Sequence, residues 1–295
     1  MKLEFTTLDV FSSTRYAGNP VAIISVPASA KASLTQTQKQ RIASEFNLSE
    51  IVFLHLPTSS DSQERHIDIF TSHAEVPFAG HPTIGTSHYL LHTTKQDVTA
   101  LITKAGRIGI ELDPETQNVK AEIPHDFHRH VVTWTTPLND LANPTCSIVN
   151  GMSFIMVQLP TLAALALAKS NLAGYTYDTT PLDAGWQNGL IATMYFVSQG
   201  TDALGRRKYR TRMFGTREDP GTGSASSALG CLLTAGGGKE RFVFEQGVEM
   251  GRRNVIEVEV VRGGEGGQEG CAWWGCRGGY AGELGGLNGS YGRKE

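Results

Sequence analysis

Residues 75–85 read EVPFAGHPTIG and residues 218–230 read EDPGTGSASSALG, one Glu-x-Pro-x-x-Gly skeleton written twice with Ser224 where His81 stood. In both copies helix-compatible sequence follows the glycine, Pro82 fitting a first helical turn and SASSALGCLL continuing from Gly223. Free N–H groups and the positive end of a helix dipole attract anions at such a start, and a glycine lets a carboxylate approach the backbone. Gly80 and Gly223 are therefore candidate backbone donors, and two such ends could grip one small acid. Glu50, closing the run NLSE, supplies a different chemistry. One carboxyl can take a proton from carbon and return it elsewhere on the same face, best with a pKa raised towards neutrality. The apolar neighbours Ile51, Val52 and Phe53 could help to desolvate it. Taken singly, each residue has an ordinary reading: Glu50 a surface glutamate at a helix end, His81 a satisfied turn histidine, Asp219 before Pro220 a turn or cap residue.

The competing motifs are poor. GTGSAS lacks the third glycine of a dinucleotide fingerprint, and Lys239 fails as a phosphate-loop lysine because Leu233 and Glu240 stand where Gly and Ser/Thr are needed. Cys146, Cys231, Cys271 and Cys276 are too scattered for a disulfide framework, and the last two lack the second close pair of a zinc ribbon. HDFHRH places His128 and His130 on one strand face with His125 near, but no carboxylate or cysteine recurs at ligand spacing, so the segment reads as a solvated linker without metal. With 26 Lys+Arg against 29 Asp+Glu and no basic cluster, nucleic acid is not an expected partner. LAALALA at 162–168 is too short to span a bilayer, and a soluble, cytoplasmic protein is expected.

The elements that position these residues are mostly strands. Alternating or apolar runs predict strands at 2–10, 21–26, 51–56, 66–71, 98–102, 108–112 and 119–123, with an amphipathic helix on Gln38, Ile42, Ala43 and Phe46. Glu50 then falls between helix and strand. The order repeats with a hairpin over 147–159 pivoting at Gly151, a helix on TLAALALAKS, and strands at 190–197, 208–214, 241–246 and 255–261. Glu75 and Glu218 lie 143 residues apart in a chain of 295, the spacing of a duplicated domain rather than a solenoid. The proline- and Asn/Asp-bearing stretch 124–145 is the expected linker, with domains over 1–125 and 126–295. PTIGTSHYLL and SASSALGCLL carry small residues around much of their circumference, which suits a helix threaded through a narrow barrel as well as one packed on a flat sheet. From Gly263 onward 13 of 33 residues are glycine, and the strands expected to close the second barrel are least well defined there.

GNP at 18–20, NLSE at 47–50, EVPFAGHPT at 75–83, EDPGTGSA at 218–225 and QGVEMGR at 246–252 occur in one order. Together they resemble the PhzF family of phenazine-biosynthesis-like proteins. The resemblance implies an α+β, diaminopimelate-epimerase-like fold: two pseudo-symmetric domains, each a β-barrel-like sheet wrapped around a central α-helix, with the active site in the cleft between them. It implies an isomerase without cofactor or metal, acting on a small carboxylate-bearing substrate as in trans-2,3-dihydro-3-hydroxyanthranilate isomerisation, and commonly a homodimer. On this resemblance Glu50 is the catalytic acid/base, His81 and Asp219 orient the substrate or assist proton movement, and Ser224, Gly80 and Gly223 bind it. Relatives that racemise amino acids use two thiols just before the paired glycines. Ala79 and Thr222 occupy those positions here, which disfavours an epimerase or racemase. The alternative from another class is a non-catalytic metabolite-binding or regulatory protein.

Overall fold

The computed structural model describes residues 2–58, 62–114, 117–123, 126–234 and 238–262, together with the strand segments 272–275, 282–283 and 289–292. The chain divides into two units, Met1–Glu122 with Cys276–Glu295, and Ile123–Gly275.

In the first unit β1 (Lys2–Val10) lies antiparallel to β2 (Asn19–Val26). A short turn of helix α1 (Ala28–Lys31) and the helix α2 (Gln36–Phe46) then cross over to β3 (Ile51–His55), which runs parallel to β2. β4 (Glu64–Phe70) returns antiparallel to β3, the two-residue β5 (Glu75–Val76) pairs with β4, and α3 (Gly80–His88) follows, ending in a π-helical turn over Tyr89–Thr93. β6 (Ala100–Thr103) joins β4 in parallel, and β7 (Gly106–Leu112) and β8 (Val119–Ile123) continue antiparallel.

The second unit repeats this plan pairing for pairing. After β9 (His128–Thr136) come β10 (Asn139–Val149), antiparallel to β11 (Met152–Gln158), the short helix α4 (Leu162–Ala166), and β12 (Leu190–Thr201) parallel to β11. β13 (Arg207–Phe214) is antiparallel to β12, the two-residue β14 (Glu218–Asp219) pairs with β13, and α5 (Gly223–Leu233) follows. β15 (Gly238–Gln246) joins β13 in parallel and β16 (Asn254–Arg262) closes on β15. Strands β1 to β7 thus correspond one for one to β10 to β16, and α3 to α5. β17 (Ala272–Gly275) pairs with β16, while β18 (Gly282–Glu283) and β19 (Gly289–Gly292) lie antiparallel to β1.

Each unit is a curled sheet around its own buried helix. α3 packs against β1, β2, β3 and β7, and all nine of its residues are buried; α5 packs against β10, β11, β15 and β16. The space explains the small residues: a Cβ on Gly85 would come within 2.9 Å of Val10 Cγ2 and Val21 Cγ1, and one on Gly230 within 3.2 Å of Val258 Cγ1 and Val260 Cγ2. Hydroxyls survive there by bonding back along the helix. Thr83 Oγ1 donates to Ala79 O at 2.8 Å, Ser87 Oγ to Thr83 O at 2.7 Å and Ser226 Oγ to Thr222 O at 3.0 Å. Because α2 covers the other face of β2 and β3, those strands are apolar on both sides, Ala22, Ile24, Ile51 and Phe53 joining Ile42 and Ala43 in one core cluster.

The stretch expected to be a linker is a strand pair. β9 alternates inward and outward over HRHVVTWTT, and Trp134 Nε1 donates to Thr145 Oγ1 at 3.1 Å. The breakers Asn143 and Pro144 sit where the β9–β10 register shifts, and Asn143 Nδ2 donates to Trp134 O at 2.9 Å. His125, Cys271 and Cys276 lie outside the described residues, as does most of the glycine-rich stretch.

Candidate active site

Thr35 and Gln38 form a capping box at the start of α2, and Asn47 ends the helix in the left-handed region at φ 50°. The reversal brings Ser49 and Glu50 to the mouth of β3. His81 occupies the second position of α3, and its Nδ1 lies 3.5 Å from Glu50 Oε2, the two side chains being 3% and 17% exposed. Asn19, fully buried, places its amide 3.3 Å from the same Nδ1, and Ser49 Oγ donates to Asn19 Oδ1 at 3.4 Å. Gly18 makes this possible: its φ is +77°, and a Cβ there would fall 2.3 Å from Val10 O. Burial drives the His81 pKa down to about 3, with a contact to the Pro20 backbone acting the other way, so the imidazole is neutral at physiological pH. Its Nε2 has no hydrogen-bond partner among the described residues.

Gly80 opens α3 after an extended Ala79, and the ladder first closes where Thr83 N–H reaches Ala79 O at 3.3 Å. The earlier N–H groups of that turn have no intrahelical acceptor. In the second unit Thr222 caps α5 in the same extended conformation, ahead of Gly223 and the buried Ser224. Asp219 is buried with Thr222 Oγ1 donating to its Oδ2 at 2.5 Å.

Two residues hold that turn that sequence reasoning did not single out. Gln246 Nε2 donates to Asp219 O at 2.7 Å and to Thr222 Oγ1 at 2.9 Å, while its Oε1 accepts from Thr222 N–H at 3.1 Å. Asn254 Nδ2 donates to Pro220 O and Arg252 O, each at 2.6 Å. Gly247, at φ +74°, lets both carbonyls approach, since a Cβ there would lie 2.5 Å from Pro220 O and 2.4 Å from Arg252 O. The available signal was QG in QGVEMGR. Asn19 was likewise visible only as the middle of GNP.

The expected residues thus form two groups, Glu50, Gly80 and His81 in the first unit and Asp219, Gly223 and Ser224 in the second, each intact within its own unit. Chemically the first offers a carboxyl that can move a proton beside a neutral imidazole. Neither glycine is preceded by a thiol, and Cys146 and Cys231 are buried, the Cys146 thiol pushed up to about 12 by burial.

Residues 8–270 match the PhzC-PhzF family, described as phenazine biosynthesis-like protein. The chain belongs to this family. Among the relatives of this PhzC-PhzF chain is the trans-2,3-dihydro-3-hydroxyanthranilate isomerase of Pseudomonas chlororaphis, 31% identical over 271 residues, an alignment covering 86% of this chain and 88% of that protein. The Bacillus anthracis phenazine biosynthesis protein of the PhzF family superposes with a TM-score of 0.68 at 19% identity, over 93% of this chain and 95% of that one. A probable proline racemase from Agrobacterium radiobacter gives a TM-score of 0.61 at 15% identity, over 92% and 89%. These structural likenesses establish the fold, two barrel-like halves each wrapped on a helix. The family's curated members in several bacteria are named as isomerases, and the PhzC-PhzF chain is an enzyme of that class.

Proposed function

We propose that the chain isomerises a small, carboxylate-bearing cyclic or unsaturated metabolite by proton transfer, without a cofactor, and that Glu50 is its acid/base. The observation that carries this is the Glu50 carboxylate 3.5 Å from a buried, neutral His81. Glu50 as carboxylate takes a proton from an sp³ carbon of the substrate; the electron pair shifts along the adjacent double bond. The carboxylic acid then returns the proton to the far carbon on the same face and is regenerated as carboxylate, so no net proton or electron is consumed. The neutral His81 offers hydrogen bonding at Nε2 rather than a positive charge. Gly80 and Gly223 supply backbone N–H groups, and Asp219 and Ser224 supply polar contacts, for the substrate's carboxylate and ring substituents. A dihydroanthranilate-type acid is the first substrate to try, because it is the class named for the Pseudomonas relative. We extend the proposal to a cytoplasmic homodimer, which sedimentation of the purified chain tests. No helix among the described residues is long and apolar enough to cross a membrane.

The test is proton NMR of such acids in heavy water with wild type and Glu50→Gln. Wild-type conversion, with deuterium uptake, that disappears in the variant supports the reading. Full turnover by Glu50→Gln sinks Glu50 as acid/base, since an amide cannot cycle a proton. A folded wild type that binds these acids without exchange would instead favour a metabolite-binding role.

A further inference from the structure

His128 and His130 alternate by two on β9 and so face the same way, and the segment between α4 and β12 brings Asp183 onto them. His128 Nε2 lies 2.7 Å from Asp183 Oδ2, and His130 Nδ1 lies 3.6 Å from the same oxygen. All three ligand atoms fall within 4.8 Å of one another, and among the described residues no other three such groups gather so closely. The carboxylate missing at ligand spacing in the sequence comes from more than fifty positions away.

We infer that His128, His130 and Asp183 form a binding site for a divalent first-row metal ion of the zinc type. The hydrogen bonds fix His130 as a ligand. Asp183 N–H can only donate, and it points at His130 Nδ1 at 3.4 Å, so that nitrogen carries the lone pair. The ring proton is then on Nε2, which donates to Ser147 Oγ at 2.8 Å, and Ser147 Oγ is itself paired with Ser153 Oγ at 2.7 Å. An imidazole with one nitrogen anchored by a hydroxyl and the other turned towards a carboxylate is the arrangement of a metal-bound histidine with its outer partner. An ion holding nitrogen and oxygen ligands tetrahedrally at roughly 2.0–2.2 Å spaces them by about 3.3 Å, between the two separations seen here. Metal entry would displace the hydrogen between His128 Nε2 and Asp183 Oδ2, which a neutral imidazole carries on Nδ1 instead, and would replace the long Asp183 N–H contact. His130 is closed to solvent while His128 and Asp183 are 34% and 27% exposed, which leaves the fourth position open to water. Two imidazoles select zinc, cobalt, nickel or copper over magnesium and calcium. Such an ion would tie β9 to the segment bearing Leu182 and Trp186, both of which pack in the core of the second unit.

Trp186 provides the readout, its ring stacked on His128 at 4.6 Å and 12°. Tag-free protein stripped with chelator is dialysed against about 10 µM free Zn²⁺ and its metal content measured; Co²⁺ and Cu²⁺ are titrated while tryptophan emission is followed. The expected result is about one bound metal per chain, quenching by Cu²⁺ that is lost in Trp186→Phe while binding persists, and an affinity at least tenfold lower in His128→Ala and Asp183→Asn. Zn²⁺ should also raise the unfolding temperature of wild type and leave that of His128→Ala where it was. Less than about a tenth of an equivalent in folded wild type, or binding undiminished in both ligand variants, overturns the site.

Discussion

A histidine held neutral beside a carboxylate can exchange hydrogen bonds but contributes no positive charge, so in the proposed mechanism the proton-moving work falls to Glu50. Glu50→Gln is expected to lower kcat by at least ~100-fold without changing the unfolding midpoint, as loss of a general acid/base does. Burial has put the His81 pKa near 3 and that of His88 near 4, against 6.5 for either in the unfolded chain. Below pH 6.5 the unfolded chain therefore binds protons that the native state refuses. The stability present at neutral pH is lost as pH falls through 6.5 towards those values, by about 1.4 kcal/mol per pH unit for each histidine. Urea unfolding at pH 7 and pH 5 should show this drop, and His81→Asn should reduce the difference between the two pH values by about 2 kcal/mol. Glu50 and His81 were legible as types within motifs, because a carboxyl and an imidazole announce their chemistry. Asn19, Gln246 and Asn254 were not, since an amide's value lies in which backbone groups reach it.

The turn before α5 depends on a side chain at the end of the next strand, β15. Gln246→Ala strands the N–H of Thr222 and the carbonyl of Asp219 in a buried setting, at ~1–3 kcal/mol for each unsatisfied group. A lower unfolding midpoint together with a raised KM is the expected outcome, read by calorimetry and steady-state kinetics. Gly85→Leu tests the threaded helix: with Val10 and Val21 already at 2.9 Å from a Cβ, overpacking should cost about 1–3 kcal/mol or more, where a helix lying on a flat sheet would gain from leucine. The strands were legible because β2, β3 and β12 are apolar runs and β1 alternates. β9 was obscured by the breakers that follow it. Pro144 is tolerated at a register shift, where the ladder makes no demand on it, and Asn143 replaces backbone bonding with its own amide. Nothing local in the sequence states that β6 joins β4 and β15 joins β13 in parallel, because sheet neighbours across a crossover are set by the global closure of the barrel.

At the scale of the whole molecule, the repeated turn was the visible trace of a repeated topology, seven strands and a central helix drawn twice. What the repeat did not disclose is where the chain's last strands go. β18 and β19 pair with β1, so the first unit is completed by sequence that follows the second. Deleting residues 276–295 should leave the β1 edge uncovered, lower the stability of the first unit and promote association in light scattering, while the circular dichroism of the second unit's strands persists. On the ribosome the same connection sets a waiting time. The first unit emerges early with its opening strand lacking two neighbours, and at about 5–20 residues per second the covering strands arrive on the order of ten to thirty seconds later. During that interval the nascent chain carries an open sheet edge, the kind of surface on which another chain can pair before the covering strands arrive.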